Sequence, residues 1–436
     1  MKYILSISIL LLLQGCLDSE KHGQDTQAPT TSSQVAYVPF VENKDNPNTM
    51  SLYKTEGVAD KTKKLYEITS ETTGNLFSNF IILGEYIYYD YREKNIGDGE
   101  VLVKQVRTHI PTDKTDAPLD IGRVSFSQGN RSNRVKINNT FYIKRREGFA
   151  QNYYLEQYHQ DTNTLRIEYP SSDDNDVLTD TSMVLLDKFI YMSTGNTLVK
   201  FDPNKHTFSN ITLSEDLYIK HFIGINQNVY FLAYNRTLDK HQLWQYNTQT
   251  KIDTFLYTFQ HTSVFDSTMH KNDTNIFINF KQSFNDFHAF SYNTPSKKMT
   301  TLPKPNSLSH RIRNHGDLIY YSARDENNDF PLWQSDGSLL GTKKVLDAAS
   351  NVIKARNLTI IANKIYFANT TNTHGEELWV IDNNGTRMLI DINQGVGSSF
   401  PRYMTKLNDG IVFQATENGV DNHLYFYTKD TLKLLK

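Results

Sequence analysis

Along most of this 436-residue chain, apolar and polar positions alternate in short runs broken by clusters of Asn, Asp, Gly and Pro, and no long segment carries a 3.6-residue apolar period. The pattern predicts an all-β protein. Near the C-terminus it also repeats. Pro331-Leu332-Trp333-Gln334-Ser335-Asp336-Gly337, Glu377-Leu378-Trp379-Val380-Ile381-Asp382 and His423-Leu424-Tyr425-Phe426-Tyr427 place an aromatic residue at 333, 379 and 425, at intervals of 46. Ile319-Tyr320-Tyr321, Ile365-Tyr366-Phe367 and Ile411-Val412-Phe413 keep the same step. Two phrases in register at this period predict a repeat architecture with one propeller blade per copy.

Traced toward the N-terminus, the aromatic slot continues as Phe290, Trp244, Val199, Glu156, Val103 and Tyr53, at intervals between about 43 and 53. The second phrase accompanies it as Ile276-Phe277, Val229-Tyr230-Phe231, Ile190-Tyr191, Phe141-Tyr142, Ile87-Tyr88 and Val35-Ala36-Tyr37. All three tryptophans, Trp244, Trp333 and Trp379, fall in the one slot. Each copy reads as four strands. In the last these are Tyr403 to Leu407, Ile411 to Ala415, His423 to Thr428 and Leu432 to Leu435, with turns such as Asn408-Asp409-Gly410; Asn383-Asn384-Gly385 makes a turn of the same kind one copy earlier. A four-stranded unit of this length cannot bury both faces alone, and radial stacking solves that problem. Nine sets of second-to-fourth strands and eight first strands can be counted, and the expectation is an eight-bladed ring, with seven or nine blades as the alternatives.

Ahead of this body, Met1-Lys2-Tyr3 begins with a positive charge, and Ile4 to Leu13 is an apolar run too short to span a bilayer as a helix. Leu13-Gln14-Gly15-Cys16 follows and resembles the lipobox of bacterial lipoproteins, with Gln14 departing from the usual small residue. Cys16 is the only cysteine in the sequence, so a disulfide within the chain and a cysteine-based metal site are excluded. The resemblance implies a signal peptide over residues 1–15 and lipidation of Cys16, with more than one acyl chain supplying a stable anchor. Residues 16–33 are too poor in large apolar side chains to fold and read as a flexible tether, which leaves 34–436 for the propeller. In Gram-negative lipoproteins that resemble this one, Asp directly after the cysteine favours the inner membrane. Here Leu17 intervenes before Asp18, which points to the outer membrane for a Gram-negative host.

Leu332 to Ser338, followed by Gly341-Thr342, resembles the Glu-Leu-Trp-x-Ser-Asp-Gly-Thr-x-x-Gly-Thr repeat of bacterial secreted and surface β-propeller proteins. The next copy, Gly375 through Asp382, Gly385-Thr386 and Leu389-Ile390-Asp391-Ile392, then Ser399-Phe400-Pro401, is similar through a whole blade. The resemblance covers about 310 to 430 and implies a fold far more than an activity. Copies before Leu243-Trp244 lack the Ser-Asp-Gly element.

Catalytic chemistry is sparse along the chain. Asp336, Asp382 and Asp202 recur one per copy, which suits side chains bonded within their own turns better than a calcium site, where several oxygens must converge. Gly337 and Gly385 supply the tight bends in those turns. Asp173-Asp174-Asn175-Asp176 is the densest carboxylate cluster and reads as a solvated loop. His374-Gly375-Glu376-Glu377 sets an imidazole beside two carboxylates, with Glu377 in the position before Leu-Trp that packing explains. No His-Glu-x-x-His, Gly-x-Ser-x-Gly or phosphate-cradling loop occurs. Lys and Arg total 46 against 48 Asp and Glu, a formal charge of −2 that argues against a nucleic-acid partner. Lys144-Arg145-Arg146 and Arg311-Ile312-Arg313 read as local strand ends.

Together these features give the expectation of a membrane-anchored lipoprotein whose propeller is a non-catalytic binding or scaffolding module for an envelope protein or a glycan, without a cofactor or metal. The alternative is a hydrolase or lyase acting on extracellular polysaccharide from residues gathered at the axial opening. Replacing Cys16 with Ser should abolish metabolic lipid labelling and release the protein into the soluble fraction; a variant that still fractionates with membranes would contradict the lipidation.

Overall fold

The computed structural model describes residues 35–436 apart from 44–45, 71–76, 84, 98–99, 118, 126–133, 139, 147–152, 160–164, 169–182, 194, 261–265, 284–285, 304–306, 309–311 and 326–328. Cys16, the tether and the 173–176 cluster lie outside the described residues. The chain forms nine antiparallel sheets in strict sequence order, one per blade. They span 36–69, 77–125, 134–168, 183–211, 217–258, 266–301, 307–344, 356–390 and 402–434, and are numbered blades 1 to 9. Among the described residues the only helical element is the 3-10 turn Ala59–Lys61.

The blades pack face to face because each sheet carries apolar side chains on both sides. Consecutive blades share buried clusters all the way round. One joins Leu83 and Tyr88 to Phe141 and Ile143, another joins Ile223 and Tyr230 to Ile276 and Phe290, and a third joins Leu332 and Tyr320 to Phe367 and Trp379. The last joins blade 9 to blade 1, with Leu407, Val412, Leu424 and Phe426 against Ala36, Val38, Phe40 and Tyr53. The result is a single closed β-propeller of nine blades, which corrects the expectation of eight.

The miscount comes from blade 1. Among the described residues it has three strands, Ala36–Asn43, Asn46–Thr55 and Thr62–Thr69, where most blades have four, and its first strand aligns with the second strand of the other blades. A missing axial strand does not cost the blade its place, because stacking uses the faces and three strands keep both. Nor do the chain ends share a sheet: among the described residues, the final blade is built entirely from Arg402–Leu407, Gly410–Ala415, His423–Thr428 and Thr431–Leu434. Closure runs through side chains. Val41 donates its N–H to Gln414 Oε1 at 2.8 Å and accepts from Asn422 Nδ2 at 3.0 Å, which occupies that stretch of the bare axial edge. Pro39, two residues earlier on the same edge, has no N–H to leave unpaired. Lys436 bonds Glu42 at 2.6 Å, with its ammonium 4.1 Å from the centre of the Phe40 ring.

The aromatic slot sits in the third strand of its blade, opposite the recurring phrase of the second. Trp333 pairs with Tyr321, Trp379 with Phe367, Tyr425 with Phe413 and Trp244 with Phe231. Each of these slot residues faces the preceding blade. In blade 2 the slot is Val106, which pairs with Tyr89 and packs on blade 1, and not Val103, which pairs with Arg92. The second strand there runs for 12 residues, Tyr86–Gly97, and this longer hairpin carries the slot further from the phrase.

The Ser335-Asp336-Gly337 turn proves to be shared with the copy farthest from it in sequence. Ser335 Oγ meets Thr342 Oγ1 at 2.7 Å and receives the Gly337 N–H at 3.0 Å; in blade 1 Thr55 Oγ1 meets Thr62 Oγ1 at 2.6 Å and receives the Gly57 N–H at 3.0 Å. Gly337 has φ 89° and Gly57 φ 87°, a region that favours glycine. A Cβ at Gly337 would stand 2.6 Å from Ser291 Oγ in blade 6, and one at Gly57 would stand 3.0 Å from Leu407 and Phe426 in blade 9. The two turns therefore press on the preceding blade in the same way.

Trp379 is 6% exposed in the interface between blades 7 and 8. Truncating it to Ala should cost about 3 to 5 kcal/mol in urea unfolding, and a loss under about 1 kcal/mol would contradict a buried inter-blade role.

Candidate functional site

Because consecutive strands are antiparallel, the ring has two unlike faces. One carries the hairpin between second and third strands together with the inter-blade linkers; the other carries the turns between first and second and between third and fourth strands. The chain enters blade 1 on the second face, where Ala36 pairs with Thr55 beside the 56–61 turn. Between blades 8 and 9 the first face carries an inter-blade linker and a hairpin loop bonded to each other.

Its organising residue is Glu377, fully buried in the strand Gly375–Asp382. Its carboxylate accepts the N–H of Ile392 at 2.8 Å, of Ser399 at 3.0 Å and of Asn393 at 3.4 Å, and the Ser399 hydroxyl at 2.6 Å. One side chain thus holds both ends of the linker 391–401. Ser398 Oγ accepts the Glu376 N–H at 3.0 Å, and Ser399 O accepts the Thr416 N–H at 2.9 Å, which binds the linker to both blades. Gly375, at φ 62°, allows the contact: a Cβ there would lie 1.9 Å from the Gly397 carbonyl oxygen. Burial pushes the Glu377 carboxyl up to about 7 against the hydrogen bonds that favour its ionised form, and the Asp391 charge adds to the rise.

Beside the linker, Asn418 shapes the loop 416–422. Its Oδ1 accepts from the Thr416 hydroxyl at 3.0 Å and from the N–H of Val420 at 2.8 Å and Asp421 at 2.9 Å, while its Nδ2 donates to Asp421 at 2.8 Å. Linker and loop, with Leu432 of the last strand, border an open recess of about 540 Å³ lined by Asp391, Ile392, Asn393, Gln394, Glu417 and Leu432. Glu417 Oε1 accepts the Tyr425 hydroxyl at 2.8 Å. Asp391 Oδ2 has a long contact from the Gly395 N–H at 3.4 Å, and Asp391 Oδ1 has no hydrogen-bond donor among the described residues.

Apart from Glu377, which holds the linker, and Asp391 and Ile392 of the repeat phrase, the residues singled out in the sequence do not line this recess. Asp336 accepts the Ser338 N–H at 2.8 Å, Asp202 the Asn204 N–H at 2.9 Å, and Asp382 the Asn384 N–H at 2.9 Å, each within its own turn. Arg387 also grips Asp382 through two bonds of 2.6 and 2.9 Å, and holds its carboxyl below the usual range. Gly385 closes the Asp382 turn at φ 91°. Trp244 donates its indole N–H to Gln242 at 3.0 Å, whereas those of Trp333 and Trp379 have no partner among the described residues. His374 bonds Thr373 at 2.8 Å, and Glu376 is paired with Arg356 at 3.3 Å. Arg313 is half-buried and donates to the Ile312 carbonyl, while Arg311 and the side chains of Lys144, Arg145 and Arg146 lie outside the described residues. No group of three or more His, Cys, Asp or Glu able to hold a metal occurs among the described residues. The recess itself was not anticipated: Asp391 and Glu417 stand 26 positions apart, and only the bulged linker brings them together.

No family model matches the chain, and no curated protein matches it. Solved structures with similar folds include the Dos1 propeller, at 13% identity and a TM-score of 0.47 over 81% of this chain and 93% of that one. Dipeptidyl peptidase 4 of Porphyromonas gingivalis gives 11% and 0.45 over 94% of this chain, which spans 60% of the peptidase. The propeller domain of the trilobed protease of Pyrococcus furiosus, described as having an open velcro topology, gives 11% and 0.36 over 84% of this chain and 97% of the domain. At these identities and scores the likenesses carry no inference about what this chain binds or does.

The raised Glu377 carboxyl has a signed consequence for stability. Between the unfolded value of 4.5 and about 7, the folded protein holds a proton that the unfolded chain has released. This contribution is therefore full below the unfolded value and lost as pH rises through the folded one. The urea midpoint should rise on moving from about pH 7.5 to about pH 5.5, and Glu377→Gln should remove part of that rise; identical pH slopes for the two proteins would contradict the assignment.

Proposed function

We propose that this protein is a lipid-anchored bacterial envelope protein whose propeller presents a rigid binding or scaffolding surface to an envelope protein or a glycan, and that it belongs with the Glu-Leu-Trp-x-Ser-Asp-Gly repeat propellers. The observation that carries the reading is the polarity of the ring. The described chain enters blade 1 on the face of the 56–61 turn, so a tether from Cys16 would attach there and leave the opposite face, with its linkers and hairpin loops, clear of the attachment point. That opposite face is internally braced by Glu377 and Asn418, and loops ordered in advance lose little entropy when they bind. Outer-membrane placement belongs to the same proposal and applies to a Gram-negative host.

A second reading, a hydrolase or lyase of extracellular polysaccharide, is favoured by one feature: two carboxylates, Asp391 and Glu417, line a single recess. The two readings separate in one pair of experiments. Mild crosslinking in intact cells followed by purification from solubilised membranes, run alongside a glycan array, should recover a stoichiometric partner or a bound glycan while purified protein leaves polysaccharides uncut. Breakdown of a polysaccharide that is lost in Asp391→Asn and Glu417→Gln would replace the binding reading with the enzymatic one, and absence of both partner and glycan would remove it.

A further inference from the structure

The linker-bearing face of blades 8 and 9 exposes large apolar side chains beside the acid-lined recess. Val396 at the tip of the linker is 79% exposed, Val420 in the adjoining loop 55%, and Phe400 at the linker's end 42%. They belong to two loops in mutual contact: Ser399 bonds Thr416, and a Cβ on Gly419 would meet Asn393 at 3.9 Å. The recess presents two carboxylates, two carboxamides and no cationic side chain. Asp391 Oδ1 is sequestered from solvent without a hydrogen-bond donor among the described residues, Asp391 Oδ2 takes the long Gly395 contact, and the Glu417 carboxylate takes a single hydroxyl bond from Tyr425.

We propose that linker 391–401 and loop 416–422 form a docking surface for a basic, apolar-flanked peptide segment of a partner protein. A Lys or Arg side chain enters the recess between Asp391 and Glu417, and the flanking apolar residues cover Val396, Phe400 and Val420. The choice of occupant rests on charge and hydrophobic complementarity together. An acidic glycan would meet like charge in the recess, and a neutral glycan would leave the charge of Asp391 and Glu417 uncompensated, whereas an ammonium or guanidinium brings opposite charge to both carboxylates. The apolar neighbours add area that water-exposed Val and Phe gain by being covered. Both loops are fixed before binding, by Glu377 on one side and Asn418 on the other, so the surface needs little reordering. This inference rests on the binding-module reading and commits it to one face and one class of ligand.

The test uses the purified full chain and a dye-labelled, end-blocked peptide alternating leucine with lysine, measured by fluorescence anisotropy. Control peptides carry glutamate in place of lysine or serine in place of leucine. The basic apolar peptide should bind and both controls should not. Asp391→Asn and Glu417→Gln should each weaken binding at least about tenfold, the scale of one lost charge pair, and flatten its salt dependence. Val396→Ser and Val420→Ser, at exposed positions with no part in folding contacts, should weaken it as well. Equal binding of the basic and acidic peptides, or wild-type affinity in the charge variants, would overturn the inference. So would failure of the basic peptide to bind while crosslinking still recovers a partner, a result that leaves the binding-module reading standing. Should the charge variants melt early, the two Val variants decide the matter alone.

Discussion

Everything in this molecule depends on covering both faces of each sheet. A three- or four-stranded blade with apolar residues on two sides is stable only between two others, so a linear stack would leave one bare face at each end. The chain removes the ends by closing on itself. Among the described residues it does so without lending a strand from one terminus to the other: Val38, Phe40 and Tyr53 of blade 1 meet Val412, Leu424 and Phe426 of blade 9, and the edge at Val41 is taken by Gln414 and Asn422. Closure is therefore a property of side-chain packing, and the described residues of blade 1 make it with three strands because packing between faces does not require an axial strand.

The same constraint shapes the turns and linkers. Where a turn meets the preceding blade, as at Gly57 and Gly337, its backbone comes too near the neighbour for a side chain, and glycine in a left-handed conformation is the residue that fits. Where a linker crosses from one blade to the next, its amides must find acceptors in a space with little water. Between blades 8 and 9 a buried carboxylate, Glu377, supplies them, at the cost of a charge placed in a medium that disfavours it. The linker it fixes becomes one wall of the recess. Architecture and candidate site are in this sense the same set of bonds.

The repeat was legible wherever strand lengths are uniform. In blades 7 to 9 the 46-residue step, the tryptophan slot and the four strands of the last blade can be read directly from residue order, because equal hairpins keep equivalent positions at equal spacing. Residue order left eight and nine blades both open, since three N-terminal strands without a first one count as a blade only once their packing on blades 2 and 9 is seen. Blade 2 hid its slot behind a long hairpin, and blade 1 hid the Ser-Asp-Gly turn behind Thr55-Glu56-Gly57, which keeps the hydroxyl and the glycine and changes the rest. Glu377 was assigned to packing from its position before Leu-Trp; its role in gathering the linker amides needed the fold. The recess could not be foreseen, because Asp391 and Glu417 carry no motif between them and meet only through the path of the linker.

Closure is the claim on which the rest stands, and amide hydrogen exchange tests it directly. In an open array the terminal repeats fray, so the strand Ala36–Asn43 would exchange far faster than strands in the middle of the chain. In a closed ring it has no end to fray from. Peptides covering 36–43, 228–235 and 410–415, followed by mass spectrometry, should show the same opening free energy to within about 1 kcal/mol and lose protection together as urea is raised. Rapid exchange of 36–43 while 228–235 stays protected would contradict the closed ring.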